Sequence, residues 1–146
     1  MQVPEILELI GKGGVGDVFR AHDRDLDRVV ALKILREDRM KEPGEYERFL
    51  AEARLTAGLQ HPGIVPVYGQ GLLPDGRPWF SMKLVEGKTL REKILEYHAD
   101  VELDPADQRV GVGLRRLVEQ LRRACEALAY AHSRGVIHRD LKPDNL

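Results

Sequence analysis

The run Gly11-Lys12-Gly13-Gly14-Val15-Gly16 lies between two stretches of strand character, and that setting narrows the folds open to the chain. Glu5 to Ile10 reads as a strand entering the glycines, and Asp17-Val18-Phe19-Arg20-Ala21 as a strand leaving them. The spacing fits G-x-G-x-x-G. A dinucleotide-binding fold needs such glycines to open a helix, and none is expected after Gly16. A Walker-type loop needs its lysine followed by Ser or Thr, whereas Lys12 is followed by Gly13. What remains is a glycine-rich hairpin. It is either an ordinary turn or a flap whose backbone approaches phosphate oxygens closely, sometimes with φ above zero.

The rest of the chain supplies a sheet around that hairpin. Val29 to Leu35 is a β-branched run of strand length with Lys33 as its one charge. The period changes over 45–59, where Phe49, Leu50, Ala53 and Ala57 share a helical stripe, and His61-Pro62-Gly63 is expected to stop that helix. Ile64 to Gln70 and Pro78 to Val85 read as two more strands, joined by a turn at Pro74-Asp75-Gly76. The expectation for residues 1–85 is therefore a small antiparallel sheet carrying one helix.

Residues 86–146 are expected to be a second, mainly helical domain, which makes the class α+β. A short helix is expected over 89–97, then a polar loop or insertion over 98–113 with Pro105 and two glycines. Leu114, Leu117, Val118, Leu121, Cys125, Leu128 and Ala129 mark an apolar stripe on a helix of about five turns. Cys125 is expected to be buried there. Gly135 ends this helix, and Val136-Ile137 forms a brief extended piece before His138.

Composition removes several function classes. The 146 residues are 42% hydrophobic with a net charge of -1, too apolar and too neutral for a disordered chain. That neutrality also argues against a nucleic-acid surface, although residues 86–108 are net acidic and 109–146 net basic. The bland reading of both is solvated helix faces. No apolar run approaches the roughly 18 residues of a membrane span, and the start is unlike a signal peptide. No membrane contact is expected from this segment. One cysteine gives no disulfide framework and suits a reducing, cytoplasmic setting.

Two places carry candidate chemistry beyond the glycines. An ammonium inside an apolar run is costly unless it meets water or an anion, so Lys33 is expected at an edge or in an ion pair. Glu52 on the following helix is the natural partner, with Glu45 and Glu47 as alternatives. In His138-Arg139-Asp140-Leu141-Lys142-Pro143-Asp144-Asn145, Asp140 can accept a hydroxyl proton. Lys142 can neutralise a phosphoryl group, and Asn145 can offer an oxygen to Mg²⁺. His61 is expected in a turn or in packing, and Trp79 and Phe80 in the sheet core.

On these residues the chain resembles the Hanks-type protein Ser/Thr kinases of bacteria. The matching motifs are the glycine loop with Val18, Val30-Ala31-Leu32-Lys33, and His138 to Asn145, in that order. The resemblance implies a kinase-like fold, with a sheet lobe over 1–85 and the hinge and first helices of a truncated helical lobe over 86–146. It implies ATP and Mg²⁺ as cofactors and a protein Ser/Thr hydroxyl as substrate. Gly11, Lys12, Gly13, Gly14, Val15 and Gly16 would cover the phosphates, and Val18 and Ala31 would pack on adenine. Lys33 would hold phosphates and pair with Glu52. Met82 would stand at the back of the adenine site, with the backbone of Lys83 and Val85 at its edge. Asp140 would be the catalytic base, with Lys142 beside it in the Ser/Thr manner, and Asn145 a magnesium ligand.

Two departures from the family pattern stand out. Lys83 replaces a residue that is commonly acidic, and the 146 residues contain no Asp-Phe-Gly motif or activation loop. The expectation is an incomplete kinase domain, inactive alone. A larger parent protein could be membrane-anchored. The alternative is a truncated kinase or pseudokinase that binds nucleotide or a partner without catalysis.

Overall fold

The computed structural model of the chain describes residues 2–103 and 108–146. Alternation along β3 (Arg28–Leu35) organises the sheet. Val30, Leu32 and Ile34 point to one face, where they cluster with Ala21 and Trp79. Leu35 points to the other, where it meets Phe49, Ala53 and Phe80. A strand buried on both faces has no polar side to spare, which is why the run is almost wholly apolar.

Around β3 the strands order as β1-β2-β3-β5-β4, all neighbours antiparallel. The others are β1 (Glu5–Lys12), β2 (Gly16–Asp23), β4 (Val67–Leu72) and β5 (Pro78–Met82). The register slips twice between β1 and β2 and once between β4 and β5. The pairs β2–β3 and β3–β5 are regular. Every irregularity therefore involves an edge strand. Gly71 of β4 lies so close to the Trp79 indole that a Cβ there would meet the ring at 2.8 Å.

Helices α1 (Glu37–Met40) and α2 (Glu45–Ala57) follow β3, so the small lobe holds one more helical turn than the single helix expected. Phe49 and Ala53 are buried as the stripe requires, whereas Ala57 is exposed. Gly58 ends α2, its amide donating back to the carbonyls of Arg54 and Leu55. The stop thus falls before His61-Pro62-Gly63, and those three residues have another use. His61 accepts the Gly63 amide through Nδ1 at 3.0 Å, stacks 5.3 Å from Tyr130, and brings Gly63 against Ala127. By proximity they belong with Glu86–Leu146 as one compact unit, while the residues up to Gln60 and Ile64–Val85 make the other.

In the second unit, α3 (Leu90–Leu103) opens on a capping box. The Thr89 amide donates to Glu92 Oε2 at 2.7 Å, and the Glu92 amide donates to Thr89 Oγ1 at 3.2 Å. Helix α4 runs Gln108–Ser133. The loop expected over 98–113 is therefore mostly helix, although Pro105 lies outside the described residues. By local pattern alone a glycine at 113 signals a break in a helix. In the fold it gives the Tyr97 ring of α3 a close seat, since a Cβ would lie 3.1 Å from Cδ2.

Cys125 is exposed, a second correction. Leu114 (49%), Val118 (58%) and Leu121 (49%) on its stripe are exposed too, while Leu117 and Leu128 are half-buried, so among the described residues that face is only partly covered. Ion pairs join Arg122 to both Glu119 and Glu126 along α4, and hydrogen bonds from Arg122 and Arg123 lower the Glu119 carboxyl to about 2. Among the described residues no helix is long and apolar enough to cross a membrane.

Candidate functional site

The glycine run forms the tip of the β1–β2 hairpin. The Gly13 amide donates to the Gly16 carbonyl at 3.2 Å and closes the turn. None of these glycines has a positive φ; those that do are Gly44, Gly76, Gly87 and Gly135. What they supply is room. A Cβ on Gly16 would stand 2.8 Å from the Ile34 carbonyl oxygen and 3.2 Å from the Phe49 ring, whereas one on Gly14 would meet nothing within 4 Å. Gly16→Ala is therefore expected to cost about 1–3 kcal/mol, and Gly14→Ala less than about 0.5 kcal/mol. Denaturant melts of both variants check this, and equal losses would contradict it.

Lys33 crosses from β3 to α2. Its Nζ donates to Glu52 Oε1 at 2.7 Å, and 20% of the lysine side chain is accessible. The ammonium also lies 5.8 Å from the Phe49 ring centre and 5.5 Å from that of Phe80. Glu45, one of the alternative partners, is taken by Arg48 at 2.9 Å. Cross-strand pairing places Val18 opposite Lys33 and Ala31 opposite Met82, so these four share one face of the sheet. The face combines apolar surface with an ammonium whose position is fixed.

The strand expected to reach Val85 ends at Met82. The Lys83 amide donates to the Pro66 carbonyl at 3.0 Å. Val85 is exposed and its backbone takes no backbone hydrogen bond among the described residues.

In the second unit, the segment after Gly135 folds back on itself. Arg139 adopts φ 65, a left-handed conformation uncommon outside glycine. Lys142 Nζ donates to Asp140 Oδ2 at 3.0 Å. Asn145 Nδ2 donates to the same oxygen at 3.2 Å and to the Asp140 carbonyl at 2.9 Å. A one-turn 3-10 helix, Pro143–Asn145, brings Asn145 round. The hydrogen bond from Lys142, helped by Asn145 and opposed by desolvation, holds the Asp140 carboxyl below its usual range. Both Asn145 contacts run through its NH₂ group, so Oδ1 is left without a partner among the described residues. An amide oxygen is one of the hard donors that suit Mg²⁺. Arg91 Nε pairs with Asp144 at 2.7 Å and the Leu90 amide donates to the Leu146 carbonyl at 2.8 Å, tying this loop to the start of α3.

Sequence reasoning missed one part of the glycine hairpin. Arg39 of α1 donates from Nε to the Gly14 carbonyl at 2.9 Å, and the Arg36 amide donates to the Val15 carbonyl at 3.1 Å. No spacing rule points to a partner 25 residues away along the chain.

Comparison with known proteins shows the family and the fold. The model of the protein kinase domain matches residues 5–146. The serine/threonine-protein kinase PknD of Chlamydia muridarum is 40% identical over 147 residues, covering 100% of this chain and 15% of the relative. That of Protochlamydia amoebophila is 39% identical over 142 residues, covering 97% of the chain and 14% of the relative. The crystal structure of the Mycobacterium tuberculosis PknI kinase domain superposes with a TM-score of 0.67 at 28% identity, covering 96% of this chain and 52% of that one. The chain belongs to the protein kinase domain family, of the bacterial serine/threonine kind. It spans about a seventh of the length of the curated relatives it matches.

Proposed function

We propose that this segment binds Mg²⁺-ATP and takes part in moving the γ-phosphoryl group to a Ser or Thr hydroxyl of a protein. The observation that carries the reading is the Asp140 carboxylate, held ionised by Lys142 and Asn145. When bound, Mg²⁺-ATP supplies the phosphoryl group and the charge neutralisation for its transfer. The chain's own residues do the rest. Gly11, Lys12, Gly13, Gly14, Val15 and Gly16 lie over the phosphates, and Lys33, aimed by Glu52, holds them. Val18, Ala31 and Met82 line the adenine seat, with the Lys83 carbonyl and the Val85 backbone at its edge. Asp140 accepts the hydrogen bond of the incoming hydroxyl and orients it. Lys142 balances charge on the transferred group, and Asn145 offers Oδ1 to the metal.

The carboxylate that such chemistry uses for Mg²⁺ beside the catalytic-loop asparagine comes from an Asp-Phe-Gly motif, which these 146 residues do not contain. Alone, they are expected to bind nucleotide in the cytoplasm, where ATP is held, without turning it over. Calorimetry with Mg²⁺-ATP tests the binding half. Lys33→Ala removes a charge-assisted contact and is expected to weaken affinity by about 10- to 100-fold. Equal heats for both proteins would sink the assignment. Asp140-dependent transfer by the 146 residues alone would overturn the claim that they are incomplete. Nucleotide binding with no transfer in the full-length protein would favour a binding module instead.

A further inference from the structure

The glycine hairpin is fastened from outside by the segment that follows β3. Its exposed tip has one internal bond, Gly13 N–H to the Gly16 carbonyl, and glycine-rich backbone loses more conformational freedom on ordering than any other. A flap of this kind wanders unless something outside it holds it. Two bonds do so here, and both come from the segment that follows β3: the Arg36 amide to Val15 and the Arg39 guanidinium to Gly14.

The donor segment is itself fixed. Arg36 forks onto Asp38 with bonds of 2.9 Å and 3.0 Å, and the amides of Arg39 and Met40 both return to the Arg36 carbonyl. Met40 packs against the cluster of Leu35, Phe49, Ala53 and Phe80, which roots α1 in the core beneath α2. The depression of about 250 Å³ beside the hairpin is lined by Lys12, Arg36 and Arg77 together with Asp17, Glu37 and Asp38. Its charges balance, so it offers an anion no net attraction. The cation at Arg39 is accounted for by the carbonyl it meets.

We propose that Arg39 is a positioning residue for the phosphate-covering loop: it pins the Gly14 carbonyl to α1 and so presents the loop amides in place before nucleotide arrives. This rests on the nucleotide reading given above and deepens it. The loop and the helix that carries Glu52 then share one anchor in the β3–α2 connection. Arg39 acts through Gly14 and touches no ligand.

The test uses the whole chain with Arg39→Ala and Arg39→Lys, the second retaining a donor long enough to reach the carbonyl. Amide hydrogen exchange without nucleotide is read at Gly13 and Arg36, whose N–H groups are bonded within and beside the loop. Affinity is read for Mg²⁺-ATP and for adenosine, which has no phosphates. Arg39→Ala is expected to speed exchange at both amides and to weaken Mg²⁺-ATP roughly three- to tenfold, the worth of one hydrogen bond. Adenosine affinity should not change, and Arg39→Lys should restore most of both losses. Unchanged exchange would overturn the proposal, as would equal weakening of ATP and adenosine, which marks general damage. If the unmutated chain bound neither ligand, the nucleotide reading would fall and this proposal with it, a result distinct from a loss confined to the variant.

Discussion

Asp140→Asn is expected to lower phosphoryl transfer by about 10²- to 10⁴-fold in the full-length protein that carries this segment, with Mg²⁺-ATP affinity unchanged. The exchange is nearly isosteric and keeps the Asp140 carbonyl that Asn145 grips at 2.9 Å, so the loop should hold its shape. What disappears is the charge that accepts the hydroxyl proton. A matched control is Asp144→Asn, because Asp144 pairs with Arg91 and takes no part in the Asp140 cluster. Its effect on the rate should be small. The pH profile adds a check with a defined sign. Hydrogen bonding from Lys142 lowers the Asp140 pKa, so the carboxylate stays ionised as pH falls through the ordinary aspartate range. The acid limb of the rate should therefore lie below that range, and a wild-type rate for Asp140→Asn would refute the role.

Phe49→Ala is expected to cost about 3–5 kcal/mol of stability, a large share of the roughly 5–15 kcal/mol that holds a domain together. The ring is buried, lies 5.1 Å from that of Phe80, and fills the space into which a Gly16 side chain would have to go. Removing it opens a cavity under α2 and beside the root of the glycine hairpin. The Lys33 ammonium loses one of its two aromatic neighbours as well, so Lys33–Glu52 should loosen with the fold. The single tryptophan, Trp79, is buried on the opposite face of the sheet and reports the melt without being touched. A denaturant midpoint within error of wild type would show that α2 is held by something other than this contact.

The sheet was legible because its signals are local. Alternation in β3, the turn at Pro74-Asp75-Gly76 and the glycine run each declare themselves within a few residues, and the strands lie close to where they are expected. Lys33 was legible for the opposite reason, since a charge inside an apolar run demands a partner, though only the fold chose Glu52 over Glu45. Boundaries and breaks were harder. Gly113 sits inside α4 because Tyr97 packs on it, a tertiary cause with no mark in the local pattern. Cys125 belongs to an apolar stripe, and periodicity says which side of a helix is apolar without saying whether anything lies against it. Arg39 was out of reach, because a guanidinium bonding a backbone carbonyl leaves no periodic or compositional trace.

The placement of the irregular pairings has a consequence for how these molecules meet one another. β1 and β4 are the two edges of the sheet, and β1 exposes Ile6, Leu7, Leu9 and Ile10. A straight apolar edge is a template on which a second copy can lay down its own strand. Strand addition needs an unbroken rung-by-rung match, and bulges twist an edge out of that match. The three slips fall where copying would start and are absent where the sheet must be strong. A crooked apolar margin of this kind is a poor first layer for a fibril.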